Sequence, residues 1–208
     1  HTHNQPEHMQ PLSRISVQED VVGYDACVGS HVEVMHTWQN TAKVYVGSQD
    51  YVGWGGVDYS VVISAIYNNT SISPQEISTV IGKSMLTDKE DKCASAVRLD
   101  DSFTQLSSAV DTLAQAFLAH LPDIKQQLLV IRKQSAQIPN DFSDAAHRDL
   151  YTLAEQARVV LARYDDIAQA AGAVMYAIEE SVVYNEIGDD SNSRRKSTCT
   201  NGHGISIY

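Results

Sequence analysis

Cys27 is the residue in this sequence best placed for nucleophilic chemistry. It ends the stretch Tyr24-Asp25-Ala26-Cys27, which follows an apolar run at 21–22 and precedes a predicted helix start at Ser30. The pattern predicts a strand that carries the thiol to its carboxyl end, where open α/β sheets place their ligands. Ser30 and Glu33 have the spacing of a capping box, so we expect a helix there whose free N–H groups favour the thiolate. The alternative is a small buried cysteine that ends a core strand.

Asp25 adds a second group that could take part in chemistry. It precedes Cys27 by two residues, so on a strand the two side chains point to the same face. A desolvated carboxylate needs a positively charged partner. The sequence leaves two partners open, a structural arginine such as Arg98 or a basic group of a substrate.

Length, composition and charge limit the class of protein. The 208 residues are 43% hydrophobic and 20% charged, which predicts one globular domain with a sizeable core. No apolar run approaches the roughly 18 residues needed to cross a bilayer, so no membrane span is expected. The formal charge of −11 argues against nucleic acid as a partner. We expect a terminal arm at 1–19, the site at 20–99, a helical region at 100–184, and a loop and final strand at 185–208.

The cysteines and histidines do not form a metal-binding pattern. Cys27, Cys93 and Cys199 are widely spaced and match no zinc or disulfide framework, and at least one of them is unpaired. The redox compartment is therefore left open. The three histidines of the N-terminal arm lack a completing cluster of cysteines or carboxylates. They are His1, His3 and His8.

Hydrophobic spacing predicts an order of strands and helices. A strand at 21–27, a helix at 31–39 and a strand at 43–47 predict a βαβ unit with a parallel sheet. A glycine-rich and aromatic loop that contains Trp54 follows at the same sheet edge as Cys27. The later elements are two helices around 59–66 and from the capping box at Ser73, a strand at 94–99, a long helix from Asp100 or Asp101 with a kink at Pro122, a helical block at 144–181, a strand from Val182 and a strand at 204–208. Since a core strand rarely ends on the last residue of a domain, we expect sequence beyond Tyr208.

With these elements placed, the chain resembles the clostripain-like cysteine peptidases, relatives of caspases and gingipains. The resemblance rests on four segments in the same order as in that family. They are Val22-Gly23-Tyr24-Asp25-Ala26-Cys27, Ser30-His31-Val32-Glu33-Val34, Val46-Gly47-Ser48-Gln49 and Gly204-Ile205-Ser206-Ile207-Tyr208. Two segments depart from the family pattern, Val28-Gly29-Ser30 after the cysteine and Gly56-Val57-Asp58-Tyr59 in place of Gly-Trp-x-Tyr.

The resemblance implies a fold and an activity. The fold is α/β, a caspase-like three-layer α/β/α sandwich with a mostly parallel sheet. The activity is that of a cysteine endopeptidase with Cys27 as nucleophile and Asp25 in a pocket for arginine or lysine before the cleaved bond. Ser48, Gln49 and Asp50 would complete that substrate pocket. Calcium is possible by the resemblance only, no other cofactor is implied, and the enzyme would be secreted or held at the cell envelope.

The histidine that the family uses is missing from the expected place. The resemblance implies a His-Gly several tens of residues before the cysteine, and only 26 residues precede Cys27. Activating cleavage would explain this, since the upstream light chain of the same precursor would carry the histidine and stay associated. The alternatives are an internal histidine, with His203, His31 and His36 as candidates, and a catalytically inactive scaffold or inhibitory partner protein.

Overall fold

A computed structural model describes residues 18–52, 55–86, 93–138, 147–187, 199 and 201–208. Within these residues the chain forms six helices and six strands. In chain order they are β1 Glu19–Gly23, α1 Val32–Trp38, β2 Ala42–Gly47, α2 Tyr59–Asn68, α3 Pro74–Ser84, β3 Cys93–Arg98, α4 Asp101–Gln134, β4 Arg148–Asp149, α5 Leu150–Val160, α6 Asp165–Ser181, β5 Val182–Ile187 and β6 Ser206–Ile207. The N-terminal histidines, Trp54 and most of the loop before His203 lie outside the described residues.

The main sheet has four strands in the order β1-β2-β3-β5. Strands β1 and β2 are parallel with α1 between them, which confirms the predicted βαβ unit. Strand β3 runs antiparallel to both β2 and β5, so the sheet is mixed and the expected mostly parallel sheet is not confirmed. The β2–β3 connection contains α2 and α3, and β3 begins at the end of the sheet where β2 finishes.

The core lies on both faces of this sheet. Successive residues of β2 alternate between the faces, as strand geometry requires: Tyr45 packs in the larger cluster, and Val44 and Val46 in the smaller. The larger cluster lies against α4, α5 and α6, and its fully buried side chains include Phe103 and Leu106. The smaller cluster lies against the face that α3 covers. Helices on both faces make this an α/β fold.

The helical region differs from the prediction at Pro122 and at 161–164. Helix α4 runs without interruption through Pro122, and Asp100 caps it by accepting a hydrogen bond from the Ser102 N–H group. The predicted block at 144–181 contains two helices, α5 and α6, with a break at 161–164. Of this block, residues 144–146 lie outside the described part. Among the described residues, no helix is long and apolar enough to cross a membrane.

The last segment of the chain joins a second, two-stranded sheet. Strand β6 is only two residues long and pairs with β4, so the predicted strand at 204–208 is shorter than expected. The Ser206 N–H group also donates to the Ser30 carbonyl at 2.7 Å. The end of the chain therefore lies directly beside the segment that follows Cys27.

Two of the three cysteines form a disulfide bond, which corrects the expectation that their spacing fits no disulfide framework. Cys93 on β3 is bonded to Cys199, 106 residues later, with the two Cα atoms 6.1 Å apart. The partners are neighbours only because the C-terminal segment returns to the start of β3, a long-range contact that sequence spacing does not show. Cys27 is the free and exposed cysteine, so an unpaired cysteine is confirmed.

Candidate active site

Cys27 lies on a tight turn four residues beyond Gly23, where β1 ends, so the strand is shorter than predicted and does not itself reach the thiol. Its side chain is exposed, and its Sγ atom accepts a hydrogen bond from the Val52 N–H group at 3.4 Å. The next residue, Val28, has a φ angle of 55°, which is a strained conformation for a β-branched residue. The Val28 N–H group donates to the Asp50 carbonyl at 2.9 Å and fixes this turn against the loop after β2. The thiol is thus presented to solvent from a rigid support.

The helix after Cys27 differs from the prediction. Helix α1 has seven residues, its N-cap is His31, and no side chain caps it. The Ser30 hydroxyl instead lies 3.1 Å from the Ser95 hydroxyl, and the Glu33 carboxylate accepts from the Tyr208 N–H group. The predicted capping box of Ser30 and Glu33 is therefore wrong, because both side chains contact parts of the chain that lie far away in sequence.

Asp25 faces solvent close to the start of α2. Its Oδ2 atom accepts hydrogen bonds from the Val57 N–H group at 3.3 Å and from the Tyr59 hydroxyl at 3.0 Å. Gly56, with a φ angle of +58°, brings its backbone so close that an added Cβ atom would lie 2.8 Å from Oδ2 and 2.9 Å from Oδ1. Among the described residues no cationic side chain pairs with Asp25. Arg98 contacts Asp100 and the Glu180 carbonyl instead, so it is not the partner that the sequence left open.

Ser48, Gln49 and Asp50 do not face solvent. Each side chain is about 1% exposed, and each contacts the interior of the protein. The Ser48 hydroxyl accepts from the Asp50 N–H group, and the Asp50 carboxylate accepts from the Tyr51 N–H group. The loop is thus shaped by its own side chains. In this structure the three residues support the turn of Cys27 rather than line an open cleft.

Gln49 and Asp149 form a buried hydrogen-bonded junction. The Gln49 amide donates to Asp149 at 3.1 Å and to the Ser206 hydroxyl at 3.0 Å, and it accepts from the Gly204 N–H group at 2.8 Å. Asp149, which is fully buried, also caps α5 by accepting from the Thr152 N–H group. One junction therefore ties the loop after β2 to α5 and to the end of the chain.

His203 is held by the same junction. The backbone N–H group of His203 donates to Oδ2 of Asp149 at 2.7 Å, and the ring Nδ1 atom lies 3.0 Å from Oδ1. The ring also stacks on the ring of Tyr151, with the two centroids 4.1 Å apart. The hydrogen bond to Asp149 raises the pKa of His203 above 6.5, although burial acts in the opposite direction. The buried Asp149 carboxylate thus favours the protonated form of the His203 ring.

The other two candidate histidines are also engaged away from the thiol. His31 is buried, and its ring packs edge-on against His147. Burial and the neighbouring His147 lower its pKa. The His36 ring lies 3.4 Å from the Ser107 hydroxyl on α4. Within the described part of the chain, no histidine hydrogen-bonds to Cys27.

The described residues contain no site suited to a calcium ion. Among those residues, no group of three or more histidine, cysteine, aspartate or glutamate side chains is arranged to hold a metal ion.

A sequence profile of the clostripain family matches residues 5–208, nearly the whole chain. The chain belongs to the clostripain family. No protein with a curated description matches the sequence.

Solved structures of proteases share the fold at low sequence identity. An inactive protease zymogen from Parabacteroides distasonis is 16% identical with a TM-score of 0.62, over 93% of this chain and 53% of the other. A clostripain from Bacteroides thetaiotaomicron in complex with a peptide inhibitor is 11% identical with a TM-score of 0.62, over 94% and 80%. A secreted cysteine protease from the same species is 12% identical with a TM-score of 0.61, over 94% and 51%. The chain thus spans about half the length of the first and third structures.

Sequence reasoning missed two parts of this site. One is the contact of Tyr59 with Asp25. Its only sequence signal was that Gly56-Val57-Asp58-Tyr59 keeps the tyrosine of the family motif while departing from it at Val57. The role of Asp149 had no local signal, because its partners come from segments about 50 and 100 residues away. A buried carboxylate that joins distant segments is a property of the tertiary fold.

Replacing Gln49 with alanine tests the junction. The change leaves the Gly204 N–H group without its buried acceptor and removes one of the two donors to the Oδ2 atom of Asp149, so we expect it to lower the free energy of unfolding by about 2–4 kcal/mol. Denaturant unfolding would measure this. Gln105→Ala, on the exposed face of α4, is the matched control and should change stability by less than about 0.5 kcal/mol. Equal small effects of both changes would contradict the junction.

His203 gives stability a pH dependence of known sign. Because its pKa in the folded chain lies above 6.5, its stabilising contribution is complete below that pH and is lost as pH rises through the higher, folded value. His203→Asn keeps a neutral donor near Asp149, so the gap in unfolding free energy between wild type and variant should be largest below pH 6.5 and narrow above it. His31, whose pKa is lowered, gives stability the opposite pH dependence. Because wild type and variant both contain His31, its contribution cancels in the difference. A gap independent of pH would contradict the ion pair.

Proposed function

We propose that this chain is the nucleophile-bearing part of a cysteine endopeptidase that cleaves peptide bonds after basic residues. The observation that carries the proposal is the free, exposed thiol of Cys27 on a rigid turn at the end of β1, with the Asp25 carboxylate exposed on the same segment. Membership of the clostripain family and the shared fold of solved proteases support it.

The chemistry would follow from the turn. The Cys27 sulfur attacks the carbonyl carbon of the substrate, and the tetrahedral intermediate collapses to a thioester as the amine leaves with a proton from a histidine. Water then hydrolyses the thioester and regenerates the thiol. Among the described residues, the Cys27 N–H group donates to no acceptor in the chain, so it is available for the oxyanion of the intermediate.

The histidine would come from an upstream light chain of the same precursor. The thiol has no histidine partner among the described residues, and His203 is committed to Asp149. Strand β1 is the edge strand of the main sheet, and in the described structure only β2 pairs with it. An edge strand presents unpaired N–H and C=O groups that can pair with another strand, so a strand of the light chain could pair with the open edge of β1. A parallel partner there would bring its own carboxyl end beside Cys27.

That added strand would complete the caspase-like three-layer sandwich and make the sheet more parallel than it is in this chain. Residues 1–208 would then form one portion of a single peptidase domain. The zymogen from Parabacteroides distasonis, about twice as long as the matched region, is consistent with a precursor of this kind.

Asp25 would provide the preference for arginine or lysine before the cleaved bond. Its carboxylate is exposed near the thiol and lacks a cationic partner among the described residues, so a basic substrate side chain can supply one. The buried residues Ser48, Gln49 and Asp50 would contribute indirectly, because they hold the loop that contacts the Cys27 turn.

We also propose that the protein is secreted or held at the cell envelope. The disulfide bond between Cys93 and Cys199 is the type of cross-link that persists in oxidising compartments. One protease with the same fold is a secreted enzyme.

Replacing Cys27 with alanine should abolish both hydrolysis and labelling by a thiol-directed peptidyl inhibitor, because it removes the attacking sulfur. The assay uses the complete precursor, with covalent labelling measured by intact mass. The double variant Cys93→Ala/Cys199→Ala is the matched control and should keep the label, because it removes the two disulfide-bonded cysteines together and spares the free thiol of Cys27. Hydrolysis that persists without Cys27 would contradict the assignment. A wild-type protein that neither labels nor hydrolyses would favour an inactive scaffold or inhibitory partner.

Replacing Asp25 with asparagine should selectively weaken cleavage after basic residues. Losing one partner of an ion pair that substrate binding desolvates costs at least about 2 kcal/mol, so kcat/KM for arginine and lysine substrates should fall about 30-fold or more. Substrates with glutamine or leucine at that position should lose much less. A uniform fall across all four substrates, together with a lower melting temperature, would show that Asp25 has a structural role instead.

A further inference from the structure

The chain itself holds the two oxygens of Asp25 unequally. The Oδ2 atom accepts two hydrogen bonds, from the Val57 N–H group and from the Tyr59 hydroxyl. A carboxylate oxygen has two lone-pair positions, so these donors fill Oδ2. The Oδ1 atom accepts no hydrogen bond from any described residue. Asp25 therefore presents one open acceptor atom to a ligand.

The start of α2 fixes this arrangement. The Asp58 carboxylate caps the helix by accepting from the Ser60 and Val61 N–H groups, which makes Tyr59 the first helical residue. Side chains on a helix lean towards its N-terminus, so the phenol of Tyr59 reaches back to Asp25. Gly56 permits the close approach of the backbone, since a Cβ atom there would lie less than 3 Å from both carboxylate oxygens.

The Tyr59 hydroxyl remains a donor at neutral pH. Its hydrogen bond to Asp25 and the negative charge of that carboxylate raise the pKa of the phenol above its ordinary value of 10.0. The phenol is thus protonated at neutral pH and can donate to Oδ2 there.

The two basic side chains differ in what they need from a carboxylate. A guanidinium group presents parallel N–H donors that match both oxygens of one carboxylate. An ammonium group is a compact charge whose donors rotate freely, and one acceptor oxygen is sufficient for a strong contact. A carboxylate whose Oδ2 atom already accepts two hydrogen bonds can bind the ammonium group of lysine through Oδ1, but it does not offer both oxygens to a guanidinium group.

We propose that Tyr59 makes Asp25 a one-oxygen acceptor and so directs the enzyme towards lysine over arginine before the cleaved bond. This inference rests on the proposed function, which places Asp25 in the substrate pocket. Tyr59 is a positioning residue, because it acts through the carboxylate and not on the substrate. An arginine substrate must either displace the phenol or use a single N–H group.

The test compares two peptides that differ only in lysine or arginine before the cleaved bond, with the complete precursor as enzyme. The wild-type ratio of kcat/KM should favour lysine. In Tyr59→Phe the Oδ2 atom loses one donor, and the ratio should shift towards arginine by about tenfold, the size expected for one charge-assisted hydrogen bond. Tyr67→Phe, on the same helix and 83% exposed, is the matched control and should leave the ratio unchanged.

The outcomes separate this inference from the proposed function. Cleavage that requires Cys27 and Asp25 but favours arginine in the wild type, or a ratio that Tyr59→Phe does not change, overturns the role of Tyr59 alone. An equal loss for both peptides in Tyr59→Phe also overturns it, since that result indicates a structural role. Failure to cleave either peptide, or cleavage that persists in Cys27→Ala, overturns the proposed function and this inference with it.

Discussion

The buried junction of Gln49 and Asp149 is the interaction on which the candidate site depends. Asp149 carries a charge with no solvent contact, and such a group is tolerated only when every acceptor position has a partner. Its partners come from the loop after β2, from α5 and from the end of the chain. The same loop holds the Cys27 turn through the Asp50 carbonyl and the Val52 N–H group. The position of the thiol is thereby linked to a network built from three distant segments.

The site has a rigid side and an open side. Backbone hydrogen bonds fix the turn after β1, and the strained conformation of Val28 is maintained because its neighbours are held. Asp25 and Cys27, in contrast, are both exposed. Both residues follow β1, which is an edge strand of the main sheet. The proposed light-chain segment would therefore meet groups that are already positioned, which is the preorganisation that catalysis requires.

Local patterns in the sequence predicted much of the fold and part of the site. The βαβ unit, the capping box at Ser73 and the start of α4 depend on residues close together in the chain, and all three are confirmed. The capping box at Ser30 failed because Ser95 and Tyr208, far away in sequence, compete for its two side chains. The mixed sheet, the disulfide bond and the buried position of Gln49 also depend on long-range contacts. Such contacts leave no periodic signal in a single sequence.

The central claim is that this chain carries the nucleophile and that a separate upstream segment supplies the histidine. Its most direct test is reconstitution: this chain and the upstream segment of its precursor are purified separately, and hydrolysis of a peptide with a basic residue before the cleaved bond is measured for each alone and for the mixture. The account predicts that neither part alone is active and that the mixture is active only when the histidine of the upstream His-Gly is intact. Activity of this chain alone would contradict the claim.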